Sequence, residues 1–341
     1  MNKEIIIITN EKFSQDNDYF FCDNIAEKSL PDDLSDNFEV EVIGRYSEKK
    51  RAHKLKTLKI KRSKNFFSYL CEIYRNSKIK KKTFLILAIS PYTFFSCILL
   101  FFLRKKTFVY LRSDGHEEYK SKFGIIGFFI YHIMFFIVSK TTNLIGCNKK
   151  VLRGNEGKVL YPSELTDQWF LNKTKPNFDR IKILYVGRMR VEKGIFSFLK
   201  ILKKITEPIF LTIVGSDNDK YKSLESENVK IYNVQSNTQD LISFYDQNQI
   251  FVLPSFTEGH PMVLLEALAR ERPVIIFREI EHVVEDKKGI FVAERTPESF
   301  HKKLKHIKDN YENICLEIKK NKLLMKKQFI KELSSHIRRD G

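Results

Sequence analysis

The chain has 341 residues, of which 43% are hydrophobic and 30% charged, and a formal net charge of +18. That length and apolar content support two packed domains and exclude a disordered chain. The basic excess, 60 Lys and Arg against 42 Asp and Glu, points to an anionic partner, while five cysteines without CxxC spacing argue against a zinc site or a disulfide framework and fit a reducing cytoplasm.

Glu4 to Thr9 reads as a buried parallel strand, followed by a turn at Asn10-Glu11-Lys12-Phe13-Ser14. The flanks of this N-terminal run do not suit a signal peptide. Phe38 to Ile43 alternates as a second strand. Residues 45–82 carry fifteen Lys and Arg against Glu48 and Glu72, interleaved with Tyr46, Phe66, Phe67, Tyr69 and Tyr74. Such a stretch suits an anionic bilayer surface, a phosphorylated acceptor or RNA, or else a solvated loop and helix face. No RNA-recognition motif accompanies it, so an anionic membrane surface is the preferred partner and nucleic acid the last.

Thr83 to Leu103 is apolar enough in length to cross a membrane. Ser90-Pro91 divides it, however, so it reads as strand, helix and then the strand Thr107 to Leu111, a βαβ crossover. Next comes the polar loop Arg112-Ser113-Asp114-Gly115-His116-Glu117-Glu118. Asp114 and His116 are candidates there for a ligand, and Arg112 for an acidic group. Asp114 with Glu117 and Glu118 equally suits a helix N-cap with an acidic first turn. Phe123 to Ser139 is a second apolar stretch, suited to a helix at a membrane interface or inside the domain. Asn143 to Cys147 and Lys158 to Tyr161 read as short strands, and Pro162 to Lys175 as the crossing to a second domain.

Ile181 to Val186 opens that domain as a buried strand. Gly187-Arg188-Met189-Arg190-Val191-Glu192-Lys193-Gly194 follows, then a helix with Ile195, Phe198, Leu199 and Leu202 on one face. Cations in a loop bounded by glycines suit a diphosphate, since Arg offers a fork of donors and Lys a point charge. Ile209 to Val214 is the next strand. The Asp217-Asn218-Asp219 run after it reads as a turn and helix cap, not a metal site. Val229 to Asn233 and Ile250 to Leu253 are further strands. Ser255-Phe256-Thr257-Glu258-Gly259-His260-Pro261 then forms a polar turn, with Pro261 as the first position of a helix over 262–270 whose apolar stripe is Val263, Leu264, Ala267 and Leu268. Glu258 and Glu266 lie eight residues apart, so two carboxylates can read different hydroxyls of one extended ligand. Val274 to Phe277 and Gly289 to Val292 are strands, and the chain is helical from about Pro297.

Glu258-Gly259, Pro261 and Glu266-Ala267, together with Arg188 and Lys193 upstream, resemble the signature of the group 1, family 4 glycosyltransferases of the GT-B fold. The resemblance covers roughly residues 180–320. It implies an α/β chain of two Rossmann-like domains with parallel sheets facing a central cleft. Residues 1–165 would form the acceptor domain and 166–320 the nucleotide-sugar domain, with the helix from about 320 packing back on the first. The implied reaction moves a hexosyl unit, with retention, from a nucleotide diphosphate sugar to a glycan or lipid-linked acceptor. No metal or other cofactor is implied.

By the same resemblance Gly187, Arg188 and Lys193 would hold the diphosphate, and the two cations would assist its departure. Glu266 would accept from the ribose. Glu258 with Gly259, His260 and Pro261 would orient the sugar. Asn10, Asp114 and His116 would lie on the acceptor side. Two departures from the family pattern stand out, the glycine-free turn at Asn10 and Asn233 where glycine is common. High Lys, Ile, Asn and Phe content suits a bacterial chain, making surface polysaccharide or lipopolysaccharide, cytoplasmic and peripheral at the inner membrane face. The rival expectations are a basic membrane- or RNA-binding protein without catalysis and a nucleotide-sugar epimerase of the same fold.

Overall fold

Aliphatic runs with no polar alternation suit strands covered on both faces, and in the computed structural model such runs form the centres of two separate sheets. Residues 3–57, 59–79, 82–175, 180–215, 221–235 and 237–339 are described; Asp217 and Asp219 therefore lie outside the described residues. The chain divides into two compact units. The first comprises the residues up to Tyr161 together with those from Lys327, and the second is Pro162–Lys326.

The first unit holds β1 (Glu4–Asp16), β2 (Tyr19–Cys22), β3 (Glu39–Tyr46), β4 (His53–Lys54), β5 (Ile60–Ser63), β6 (Lys82–Leu87), β7 (Thr107–Leu111), β8 (Asn143–Gly146) and β9 (Lys158–Val159). Seven of these run parallel in the order β5-β3-β1-β6-β7-β8-β9, with Ile5, Ile6, Ile7 and Ile8 buried at the centre.

The expected turn at Asn10–Ser14 does not form. After an irregularity between Ile8 and Lys12, β1 pairs Phe13 with Tyr46 and then turns antiparallel to β2. The reason is the buried ring of Phe13, which lies against Gly44 so closely that a Cβ there would come within 2.4 Å of it. The apolar stretch 83–103 divides as expected, into β6 and the helix Pro91–Phe102. Ser90 and Thr93 cap that helix reciprocally and Pro91 occupies its first turn.

The final helix, Lys326–Arg339, belongs to the first unit. It buries Phe329, Ile330, Leu333 and Ile337. Phe329 meets Tyr110, and Arg338 lies over Phe38 and donates to the Asn37 carbonyl at 2.8 Å.

The second unit holds β10 (Ile181–Val186), β11 (Ile209–Val214), β12 (Val229–Tyr232), β13 (Ile250–Leu253), β14 (Val274–Phe277) and β15 (Ile290–Ala293). All run parallel in the order β12-β11-β10-β13-β14-β15. Renumbered from one, that is 3-2-1-4-5-6, the doubly wound order whose ligands sit where the winding reverses, beyond the carboxyl ends of the first and fourth strands.

The stretch after Pro162 is fastened to this unit. Trp169 is buried against Tyr245, and the fully buried Arg270 donates to the carbonyls of Trp169, Leu171 and Asn172. Asp246 balances it through two bonds, at 2.9 and 2.6 Å, and also pairs with Arg272.

Candidate functional site

In the second unit the strands at the winding reversal are β10 and β13, so the loops 187–194 and 255–261 meet there. Two glycines hold the first loop in shape. Gly194 has φ +67°, and a Cβ on it would fall 1.8 Å from the Pro254 carbonyl oxygen. Gly187 has φ +152° and lies over the Tyr185 hydroxyl, which donates to the Arg188 carbonyl at 2.9 Å. The Phe256 amide donates to the Glu192 carbonyl at 3.0 Å, tying the second loop to the first.

Across this seam Lys193 Nζ donates to Glu258 Oε1 at 2.7 Å, and Ser255 Oγ donates to the same oxygen at 2.6 Å. His282 Nε2 lies 2.9 Å from the Glu258 carbonyl oxygen. The carboxylate is therefore held by two donors at one oxygen, with His282 at its backbone carbonyl, while its other oxygen keeps acceptor capacity. Arg188 is exposed in the first loop.

The helix after the loop is Met262–Ala269. Pro261 takes the position before its first turn, not the first helical position as expected. Having no N–H, it also cannot donate. No side chain caps this end. The expected one-sided stripe is corrected too: Leu264, Leu265, Glu266, Ala267, Leu268 and Ala269 are all buried, whereas Val263 is only partly so. Packing between sheet and neighbours leaves this helix little solvent face.

Glu266 is thus a buried carboxyl, one turn in from the loop. The Tyr245 hydroxyl donates to its Oε2 at 2.8 Å. Burial pushes its pKa up to about 7, with Glu164 adding to the rise and the Tyr245 bond opposing it. His260 is pushed down to about 4, first by burial and then by the Lys287 charge.

Two participants escape sequence reasoning. Tyr245 reads only as a residue of a short helix. Arg295, just past β15, stacks on Phe256 at 4.0 Å and Phe277 at 4.4 Å, and its Nη2 donates to the Ser255 carbonyl at 3.4 Å. No spacing relates Arg295 to the loop, so only the fold could have placed it there.

The candidates of the first unit are scattered among packing roles. Asn10 sits at the β1 irregularity and accepts from Arg45 at 3.3 Å. Asp114 caps the helix Gly115–Thr141, accepting from the amides of His116 at 3.2 Å and Glu117 at 3.4 Å and also from Arg153. His116 is buried among Phe128, Tyr131 and Phe135, with Nε2 3.3 Å from His132 Nδ1. Burial, with Arg153 second, pushes its pKa down to about 4. Arg112 pairs with the buried Glu27 at 2.5 Å. In the basic stretch 45–82, Arg45 also lies over Tyr92, Lys59 pairs with Glu39 and Arg51 with Asp23.

Residues 168–324 match the family model described as glycosyl transferases group 1. An uncharacterized glycosyltransferase of Haemophilus influenzae is 27% identical over 171 residues, 44% of this chain and 48% of that protein. The capsular polysaccharide biosynthesis glycosyltransferase CapM of Staphylococcus aureus is 32% identical over 127 residues, 33% of each. This chain thus spans half or less of the length of these two relatives. Among solved structures, Anabaena Alr3699/HepE in complex with UDP and glucose superposes with a TM-score of 0.71 at 13% identity, covering 99% of this chain and 100% of that one. The chain therefore carries a group 1 glycosyl transferase domain over residues 168–324 and has the GT-B fold.

Proposed function

We propose that the chain is a retaining hexosyltransferase that takes its sugar from a nucleotide diphosphate donor held in the second unit and delivers it to a glycan or lipid-linked acceptor of a bacterial surface polysaccharide or lipopolysaccharide. The observation that carries this reading is the Lys193–Glu258 pair, which joins two loops at the winding reversal of a doubly wound sheet. A cation held in place by a carboxylate can turn to an arriving diphosphate and leave that carboxylate for the sugar hydroxyls. Arg188 supplies the second cation. The uncapped start of Met262–Ala269 adds the partial positive charge of its first amides.

As the bond between sugar and diphosphate breaks, negative charge grows on the leaving oxygen. Once the donor is bound and Lys193 has turned to it, Arg188 and Lys193 stabilise that charge without further reorganisation, the preorganised form of electrostatic catalysis. The acceptor oxygen bonds to the anomeric carbon, and its proton passes to the departing phosphate oxygen. No protein nucleophile and no metal are needed in this reading. Glu266, poised near neutrality, accepts from the ribose hydroxyls when ionised. The work is placed at the cytoplasmic face of the membrane, where sugar nucleotides and lipid-linked acceptors would meet.

Thermal stabilisation by UDP, GDP and ADP tests the site, because a ligand bound to the folded state raises its apparent stability. One nucleotide is expected to stabilise the wild type and to lose that effect with Glu266→Ala. Arg188→Ala is expected to keep the fold and lower turnover about 100-fold or more. No stabilisation by any nucleotide, or near-normal turnover by folded Arg188→Ala, overturns the reading.

A further inference from the structure

The helix Gly115–Thr141 is the only one among the described residues long and apolar enough to cross a membrane by length and composition. Its geometry argues against that use. Gly124, at φ +65° and ψ −154°, breaks it. The two arms then pack on each other, with the Tyr119 and Tyr131 rings 5.0 Å apart and Gly127 so close to the Tyr119 carbonyl that a Cβ would clash at 2.3 Å. The longer arm, from 125 to 141, is about 25 Å long, short of the ~30 Å hydrocarbon core. One side of it, with Tyr131, Met134, Phe135 and Val138, is buried in the first unit.

The opposite side is exposed and mostly apolar, with exposed His132 beside the stripe and Lys140 at its end. It presents Ile125, Ile126, Phe129, Ile130, Ile133 and Phe136, the spacing of a single helical stripe. The connections β5 to β6, β6 to β7 and β7 to β8 all step the same way along the sheet, so right-handed crossovers put their three helices on one face. These helices touch in sequence. Phe66 of the helix Phe66–Ser77 meets Phe95 of Pro91–Phe102 at 5.3 Å. Phe67, Phe95, Phe101 and Phe102 are exposed on these neighbours, Phe102 at 77%. Lys120, Lys122 and Lys140 are exposed on the same helix, Lys122 at 4.0 Å from Glu118, as are Arg104 and Lys106 after Pro91–Phe102.

We propose that this helix layer is a membrane-docking surface, lying flat in the headgroup–acyl boundary of a bilayer that contains anionic lipid. It rests on the proposed function for its purpose, bringing the chain to a lipid-linked acceptor. It also relocates the membrane contact from the basic stretch 45–82 to the apolar stripe. Charge selects the occupant. An aromatic and aliphatic face with exposed lysines on the same helix complements an anionic interface, whereas a second copy of this chain, at +18, would bring those lysines against like charges.

Flotation of the full chain with vesicles tests it, using phosphatidylcholine alone and phosphatidylcholine mixed with phosphatidylglycerol. The wild type is expected to float with the mixed vesicles. Phe129→Ser/Ile133→Ser/Phe136→Ser is expected to weaken partitioning by about tenfold for each side chain removed, with an unchanged circular dichroism spectrum and nucleotide stabilisation like that of the wild type. Lys56→Gln/Lys61→Gln/Lys64→Gln is expected to lose less than the apolar variant. Equal flotation of the apolar variant and the wild type overturns the proposal, as does a larger loss in the lysine variant. A wild type that ignores vesicles and sediments as a dimer, dissociated by the apolar substitutions, also overturns it. Absence of nucleotide stabilisation in every variant, with flotation as expected, defeats the donor-site reading and leaves the docking surface standing.

Discussion

Both units hang charged residues at the ends of parallel strands, yet they use them differently. In the second unit Arg188, Lys193 and Glu258 lie in the loops at the winding reversal, Lys193 and Glu258 paired across 65 residues of sequence and Arg188 exposed in the first loop. In the first unit Asp114 and His116, at the end of β7, are closed in, one as a cap and the other under aromatic rings. A charged residue after a strand is therefore not a site by position alone. It becomes one where the surrounding chain leaves its polar atoms accessible and its alternatives weak.

The sharpest way to break the comparison is at the frame of the second unit. Asp246→Ala leaves Arg270 and Arg272 buried without their acid, and is expected to cost about 3–5 kcal/mol. A denaturant midpoint unchanged from wild type would show that the ion network does not fasten the stretch after Pro162 to this unit.

The buried carboxyl gives the next effect, and its sign is fixed by direction. Glu266 is raised from 4.5 to about 7, so its neutral form favours folding at low pH and that contribution is lost as pH rises from 4.5 through about 7. His260 and His116 are lowered from 6.5 to about 4, so their contributions are present above 6.5 and lost as pH falls toward 4. Glu266→Gln is expected to remove the loss on the rising side, up to about 3 kcal/mol, and to leave the acid side intact. Stability curves of wild type and variant that run parallel from pH 4.5 to 7 would contradict this. By the same titration, nucleotide affinity in the wild type should weaken as pH falls through about 7, because a protonated carboxyl accepts less well.

Smallest are the effects in the first unit. Asp114→Ala is expected to cost ~1 kcal/mol as a lost cap. His116→Phe keeps a ring among rings and is expected to leave turnover within about threefold, a difference of less than 1 kcal/mol in barrier. A folded His116→Phe with turnover down a hundredfold would put His116 in the chemistry and erase the contrast between the units.

Much of this was legible because it is local. Ile250–Leu253 is an unbroken apolar run and Ile181–Val186 is broken only by the exposed Lys182, and strands covered on both faces read that way. The Ser90-Pro91 punctuation separated β6 from its helix, and Gly187 and Gly194 marked a loop that needs positive φ. The continuation of β1 past Asn10 was not legible, because it depends on Phe13 finding Gly44, thirty-one residues on. The burial of Glu266 was hidden for a similar reason: an eight-residue helix with a carboxylate looks half-solvated until sheet, linker and Tyr245 close around it.

The sequence by itself determined the α/β class, the strands of the second sheet and the residue types at the two loops. Tertiary structure alone decided which charges meet, with Lys193 on Glu258, Asp246 between Arg270 and Arg272, and Arg295 on Phe256. It also decided that Gly115–Thr141 folds back on itself at Gly124, with the apolar stretch after Phe123 as the arm that keeps an open face. The physical reason is reach. Hydrophobic periodicity and backbone preference act within a few residues, whereas burial and ion pairing act between segments whose proximity is set only when the whole sheet has wound.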